Sequence, residues 1–118
     1  MAIRDLFKPK YQNSNPEIRA KAVKELNDSE LLMNIALNDE SITVCVNAVR
    51  NPNLMDHRIL STIYENSKYR AVQDEAYQKL TNIIGNTSNQ DLLVDIAKNN
   101  PKYLFRNKAV VKLLLKWH

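Results

Sequence analysis

The sequence predicts an all-α fold in which copies of one helical hairpin are stacked. Three observations support this prediction. Apolar residues recur at helical spacing along the chain, four segments repeat one pattern, and a single glycine, Gly85, leaves few tight turns for a β fold. The 118 residues are 44% hydrophobic and 25% charged, which is ordinary for one globular domain, so we assign residues 1–118 to a single domain.

The first helix is expected to begin at Asn15-Pro16, because asparagine is a favoured N-cap and proline is favoured at the first helical position. The same pair recurs at Asn100-Pro101, and breakers at 85–89 indicate a loop. Residues 1–14 are expected to cap the first hairpin, with Leu6 and Phe7 folding back onto it. Residues 101–118 are expected to form a C-terminal capping helix. The predicted helices span about 16–26, 29–39, 42–50, 54–65, 69–80, 90–98 and 101–117.

The repeat is defined by an alanine in the middle of every other helix. These alanines are Ala22, Ala48, Ala76 and Ala109, at separations of 26, 28 and 33 residues. The intervening helices also align, at 31–35, 59–63 and 92–96. A period of this length is typical of a solenoid, whose hairpins must stack to cover their apolar faces. We therefore expect the alanines to be buried between helices. The alternative is an irregular helical bundle whose segments resemble one another by chance.

At these residues the chain resembles the HEAT-repeat family. Asn15-Pro16-Glu17-Ile18-Arg19, followed by Ala22-Val23 and Leu26, is similar to the opening pattern of that family, and Phe105-Arg106 with Ala109-Val110 and Leu113 repeats it. Cys45 and Gln73 stand where the second and third copies would have the arginine. The resemblance covers about residues 15–113. It implies a short right-handed superhelix of about three and a half helical hairpins, and a role as an adaptor, a scaffold or, in one branch, a DNA binder.

No catalytic, cofactor or metal site is predicted, and we do not expect an enzyme. Neither His57 nor Cys45 has a partner at metal-ligand spacing, and one glycine cannot form a phosphate-binding loop. His57 is expected in a solvated helix start with Asp56 and Arg58. Asp91 and Asp95 share a helix face, and such a pair could serve in acid–base catalysis. A solvated helix surface is the simpler interpretation.

The predicted function is that of a non-catalytic protein-interaction module. In a HEAT-like stack the second helices line the concave face. The segments 29–39, 54–66 and 90–99 carry six acidic and two basic residues, so this face suits a peptide or protein segment better than nucleic acid. Plain solvent-facing polarity is the alternative. The predicted binding row consists of Glu30, Asn34, Leu37, Arg58, Thr62, Glu65, Asp91, Asp95 and Lys98.

A competing hypothesis is nucleic-acid association through the basic ends of the chain. The formal net charge is +4, and the basic surplus lies near the start of the chain and in the last helix. The residues concerned are Arg4, Lys8, Lys10, Arg19, Lys21, Lys24, Lys102, Arg106, Lys108, Lys112 and Lys116.

The last helix is apolar on more than one face. Lys108, Lys112 and Lys116 recur every four residues and are expected to form one solvated stripe, which leaves Val111, Leu114 and Leu115 uncovered. These three residues predict a weak two-fold dimer, unless the termini cover them. Only one cysteine and no apolar run of membrane-spanning length predict a cytoplasmic protein without a membrane segment.

Overall fold

The structure is a computed structural model that describes residues 3–115. Over this range the protein contains only helices, which confirms the all-α prediction. None of the described helices is long and apolar enough to cross a bilayer. Two short 3₁₀ helices, Ile3–Asp5 and Lys10–Gln12, precede the α-helices. The α-helices are α1 (Pro16–Val23), α2 (Ser29–Asn38), α3 (Ile42–Arg50), α4 (His57–Asn66), α5 (Arg70–Asn86), α6 (Gln90–Asn99) and α7 (Tyr103–Leu115).

Most of these helices begin at a side chain that accepts a hydrogen bond from a free N–H of the first turn. Asn15 accepts from Glu17, as its position before Pro16 predicts, and Ser41 accepts from Val44. The second helices α2, α4 and α6 begin at equivalent caps, which are Asp28, Asp56 and Asn89. Such a cap contributes about 1 kcal/mol relative to alanine, so the boundaries are fixed locally.

Four helix ends differ from the prediction by two residues or more. Helix α1 ends at Val23 rather than near Leu26, and α4 begins at His57 rather than near Leu54. Helix α5 does not end near Leu80 but continues through Gly85 to Asn86, because Ile84 packs into the core and Gly85 keeps a negative φ. Helix α7 begins at Tyr103 rather than Pro101. The Asn100 side chain accepts from the Lys102 N–H, so Asn100 belongs to a turn before the helix and is not its N-cap. The predicted residues Lys116, Trp117 and His118 lie outside the described residues.

The helices contact one another in a regular order. Helices α1, α3, α5 and α7 pack in succession, and α2 packs against α4. The closest pairs are α2 with α3, α4 with α5, and α6 with α7. The hairpins are therefore formed by each second helix and the first helix that follows it, whereas α1 packs against the second 3₁₀ helix. The molecule measures 61 × 24 × 18 Å.

The shared alanines lie at the contacts between these helices. Ala48, Ala76 and Ala109 are completely buried, as predicted, whereas Ala22 in α1 is only partly buried. The largest fully buried side chain of the described residues is Phe105, whose ring contacts Tyr64 and Tyr77 with centroids 5.5 and 6.0 Å away. The small alanine allows neighbouring helix backbones to approach, and the aromatic rings fill the space beside it.

The prediction for Leu6 and Phe7 is wrong. These side chains are 59% and 95% exposed. The first helix is instead covered by the second 3₁₀ helix, where Tyr11 packs against the core. The buried Asp5 carboxylate accepts from the Ser14 N–H at 3.0 Å and the Ser14 hydroxyl at 2.7 Å. This closed loop fixes the path of the segment and directs Leu6 and Phe7 outward.

Candidate functional site

One polar turn precedes each of α1, α3, α5 and α7 and sets the geometry of the surface around it. In every copy the side-chain oxygen of one residue accepts from the backbone N–H two positions later, at 2.8 to 3.2 Å. That residue always lies nine positions before the shared alanine. The four residues are Asn13, Asp39, Ser67 and Asn100. The register inferred from the alanines thus matches the hydrogen bonding of the turns.

The main-chain carbonyl of the same residue is also bonded, by the side chain six positions later. Arg19 donates to Asn13 O at 2.9 Å, and Arg106 donates to Asn100 O at 2.8 Å. In the two middle copies, Cys45 donates to Asp39 O at 3.2 Å and Gln73 donates to Ser67 O at 2.8 Å. Cys45 and Gln73 therefore make the same contact to the main-chain carbonyl that arginine makes in the first and last copies. This explains why the turn forms without the arginine in the two middle copies.

A third recurring contact joins each first helix to the one before it. The residue three positions after the shared alanine donates to carbonyls at the C-terminal end of the preceding first helix, where backbone acceptors lack partners. Asn51 donates to Val23 O at 2.9 Å, Lys79 to Val49 O at 2.7 Å, and Lys112 to Gly85 O at 2.5 Å. Burial lowers the pKa of Lys79 to about 8.

The predicted binding row lies along α2, α4 and α6 and is mostly exposed. Thr62, Asp95 and Leu37 are partly buried, and the other members are exposed. The exposed members are Glu30, Asn34, Arg58, Glu65, Asp91 and Lys98.

The structure links part of this row across helices. Arg58 on α4 pairs with Asp95 on α6, with 3.2 Å between Nη2 and Oδ1. Glu65 pairs with Lys102 in the turn before α7. On α2, Asn34 is bonded to Asn38 of the same helix. Ion pairs therefore connect the row residues of α4 to α6 and to the turn before α7. The described row residues on α2 make no such ion pair to another helix.

A buried polar network beneath this surface was missed at the sequence level. His57 is only 4% exposed, so its assignment to a solvated helix start is wrong. Its Nε2 lies 2.8 Å from Asp95 Oδ2, and its Nδ1 lies 3.0 Å from the Asn100 amide nitrogen. Because that amide is a donor, Nδ1 must accept, and Nε2 carries the proton that it donates to Asp95. The network therefore holds α4, α6 and the turn before α7 together.

Asn100 and Ser61 complete the network. The Ser61 hydroxyl lies 3.0 Å from Asn100 Oδ1 and 2.8 Å from Asn100 Nδ2, and both residues are buried. The aligned repeat places Asn100 at the position of Asn13, and this equivalence could have indicated the polar turn. The pair Asn100-Pro101 also matches Asn15-Pro16, which instead predicted that Asn100 is a helix N-cap.

The carboxylate of Asp95 is held in its charged form. Hydrogen bonds from Asn99 and His57, together with the nearby charge of Arg58, lower the pKa of Asp95 below its ordinary value. Asp95 therefore acts as an acceptor that joins three side chains, and the structure does not pair it with Asp91 for acid–base chemistry.

The described serine, histidine and cysteine side chains that could act as nucleophiles or bases make structural contacts instead. Ser61 is completely buried and bonds Asn100 rather than His57, so these residues do not form a nucleophilic triad. Cys45 is also buried, and burial raises the pKa of its thiol. Within residues 3–115 no group of three His, Cys, Asp or Glu residues is placed to hold a metal ion.

A comparison with protein-family models gave no match, and comparisons with curated proteins and with solved structures gave none either.

Proposed function

We propose that the chain is a non-catalytic protein-interaction module of the HEAT-repeat type, folded as a short right-handed superhelix and working in the cytoplasm. The observation that carries the proposal is the turn repeated before α1, α3, α5 and α7, with its equivalent side-chain and carbonyl hydrogen bonds. A stack that repeats one unit offers an extended surface along its length, which is how solenoid proteins bind partners.

The binding surface that we propose is the polar row on α2, α4 and α6. Most of its side chains are exposed, and the pairs Arg58–Asp95 and Glu65–Lys102 hold part of it in a fixed arrangement. A fixed row of alternating charges and amides suits an extended peptide or protein segment, because such a segment can pair with each group in turn. The acidic excess of these segments favours a partner with basic side chains.

Charge reversal tests this surface. Glu30→Lys with Asp91→Lys changes two exposed members of the row that have no cross-helix partner in the structure. The matched control is Glu25→Lys with Asp74→Lys, which makes the same charge change off the row. Proteins that cross-link to the chain in native extract should be identified. The affinity of each purified protein for the wild-type chain and for both variants should then be measured. We expect the row variant to lose binding and the control to keep it. Equal affinity for both variants contradicts the proposal.

Nucleic-acid association through the basic ends is a second candidate. It is favoured by residues 96–118, which contain six basic and no acidic side chains. Retention of duplex DNA that falls steeply with salt and depends on Lys21 and Lys24 would support it over the first proposal.

The weak two-fold dimer through α7 also stays a proposal. Val111, Leu114 and Leu115 are exposed on this helix. Val111→Glu with Leu114→Glu should abolish self-association without unfolding the domain. Sedimentation of the wild-type chain as a monomer at high concentration contradicts the dimer.

A further inference from the structure

The outer face of α7 carries four exposed apolar side chains. Val110 and Val111 are 40% and 46% exposed, and Leu114 and Leu115 are 57% and 66% exposed. The four residues lie at i, i+1, i+4 and i+5, so they form one stripe along the helix. A contiguous apolar surface is one mark of an interaction site.

One position of this stripe, Val110, is equivalent to buried or partly buried positions in the earlier copies. The residue that follows each shared alanine is Val23, Val49, Tyr77 or Val110. Val23 and Val49 are fully buried, in helices α1 and α3, each followed by a packed first helix. Tyr77 is partly buried and contacts Phe105 of α7. Only Val110 is exposed. At this one position α7 exposes a side chain whose equivalents are covered in the earlier copies, whereas the residues equivalent to Val111, which are Lys24, Arg50 and Gln78, are exposed.

A groove beside the stripe supports a helical occupant with protruding side chains. About 400 Å³ of space lies between α5 and α7, lined by Thr81, Gly85, Val111 and Leu115 among others. No atom lies within 4 Å of the place where a side chain at Gly85 would begin. A groove accepts the side chains of a second helix in ridges-into-grooves packing, whereas a bilayer surface has no such protrusions.

The charges beside the stripe indicate the charge of the occupant. Helical periodicity places Arg106 along one edge of the stripe and Lys108 along the other. Arg106 donates to Asn100 O, and Lys108 lies over the Tyr77 ring, so neither pairs with a carboxylate in residues 3–115. Acidic side chains on the occupant would complement both edges, whereas a second copy of α7 carries basic side chains at these positions.

We infer that the outer face of α7, with the groove beside α5, binds an acidic amphipathic helix of another protein. The partner's apolar residues pack on Val110, Val111, Leu114 and Leu115, and its carboxylates pair with Arg106 and Lys108. This site lies on a different helix from the proposed row on α2, α4 and α6, and does not depend on it.

Fluorescence anisotropy of the full chain with two labelled helical peptides tests this inference. Each peptide has about five turns, with leucines on one face. One carries glutamates along both edges of that face, and the other carries lysines there. We expect the acidic peptide to bind at least about tenfold more tightly than the basic one.

A pair of variants locates the site. Val111→Glu with Leu114→Glu should weaken binding of the acidic peptide by about tenfold or more, because it places carboxylates in the centre of the apolar contact. The control is Ile42→Glu with Met55→Glu, since these side chains are 45% and 53% exposed on other parts of the surface. The control should bind like the wild type. Circular dichroism establishes that both variants are folded.

Four results would overturn the inference. The first is equal affinity for the two peptides, and the second is equal loss of affinity in both variants. The third is a dimer in sedimentation that α7 substitutions abolish while neither peptide binds. The fourth is binding to anionic phospholipid vesicles or duplex DNA that depends on Val111 and Leu114 while neither peptide binds. Glu30→Lys with Asp91→Lys changes the proposed row and should leave binding of the acidic peptide to α7 unchanged. The test of the α7 site and the test of the row can therefore fail independently.

Discussion

At the scale of single residues, several polar side chains satisfy backbone groups at the end of the preceding first helix. Asn51 shows this clearly, because its buried amide donates to the carbonyls of Val23 and Leu26, more than twenty residues earlier in the chain. An unpaired buried carbonyl would cost about 1–3 kcal/mol, so each such contact fixes the spacing of two helices as well as stabilising them. The position is occupied by Asn51, Lys79 and Lys112 in the three copies that follow another first helix.

Asp95 gives the chain a defined response to acid. Because its pKa is lowered in the folded state, the stabilisation from its charge is present above the unfolded value of about 3.9 and is lost as the pH falls through the folded value. We expect Asp95→Asn to destabilise the protein at pH 7 and to differ less from the wild type near pH 3.

Urea unfolding of wild type and Asp95→Asn at both pH values provides the measurement. Asp91→Asn is the control, because Asp91 is exposed on the same helix and makes no contact with His57. If the difference in unfolding free energy between wild type and Asp95→Asn is independent of pH, the charge of the Asp95 carboxylate is not the cause of that difference.

Ala76 tests the packing of the repeat at one position. It is completely buried in α5, which packs against α3 on one side and α7 on the other. Ala76→Leu should overpack this contact and lower the free energy of unfolding by about 1–3 kcal/mol. Ala71→Leu, at an exposed position of α5, should change it by less than about 0.5 kcal/mol. Equal melting temperatures for the two variants would argue against the register of the shared alanines.

At the scale of the helices, burial overrides local propensity where the two disagree. Helix α5 extends past its expected end because Ile84 is buried, although Gly85 disfavours helix by about 1 kcal/mol. The reverse holds at α7, where the turn around Asn100 delays the start of the helix. The end of α5 therefore depends on contacts with neighbouring helices, whereas the start of α7 is set by the turn before it.

Gly85→Ala measures the cost of glycine in α5. Gly85 has no positive φ, and a new methyl group would contact nothing within 4 Å. The substitution should therefore raise the free energy of unfolding by up to about 1 kcal/mol, through a smaller loss of backbone entropy. Ala71→Gly in the same helix should have the opposite sign. Destabilisation by Gly85→Ala in thermal melts would show that glycine is required at this position.

At the scale of the whole molecule, the described residues form an elongated body of 61 × 24 × 18 Å. The Cα radius of gyration is 16.1 Å, compared with about 13.5 Å for a compact domain of this length. Small-angle scattering should therefore give a radius of gyration well above the compact value at low concentration. A value near 13.5 Å would favour the irregular bundle over the stack.

The sequence alone determined the all-α class, most helix starts, the shared alanines and the exposure of Val111, Leu114 and Leu115. These features depend on local spacing, capping chemistry and the period of apolar residues, which act within one or two turns of chain. The right-handed superhelix and the protein-binding function remain proposals.

Only the tertiary structure decided how distant segments meet. His57 and Asn100 are 43 positions apart, and their contact depends on how α4, α6 and the turn before α7 pack together. The same holds for Leu6 and Phe7, whose apolar character predicted burial. The Asp5–Ser14 hydrogen bonds set the path of the backbone and direct both side chains to solvent. Composition and periodicity define which residues favour burial, whereas the path of the chain decides which of them reach the core.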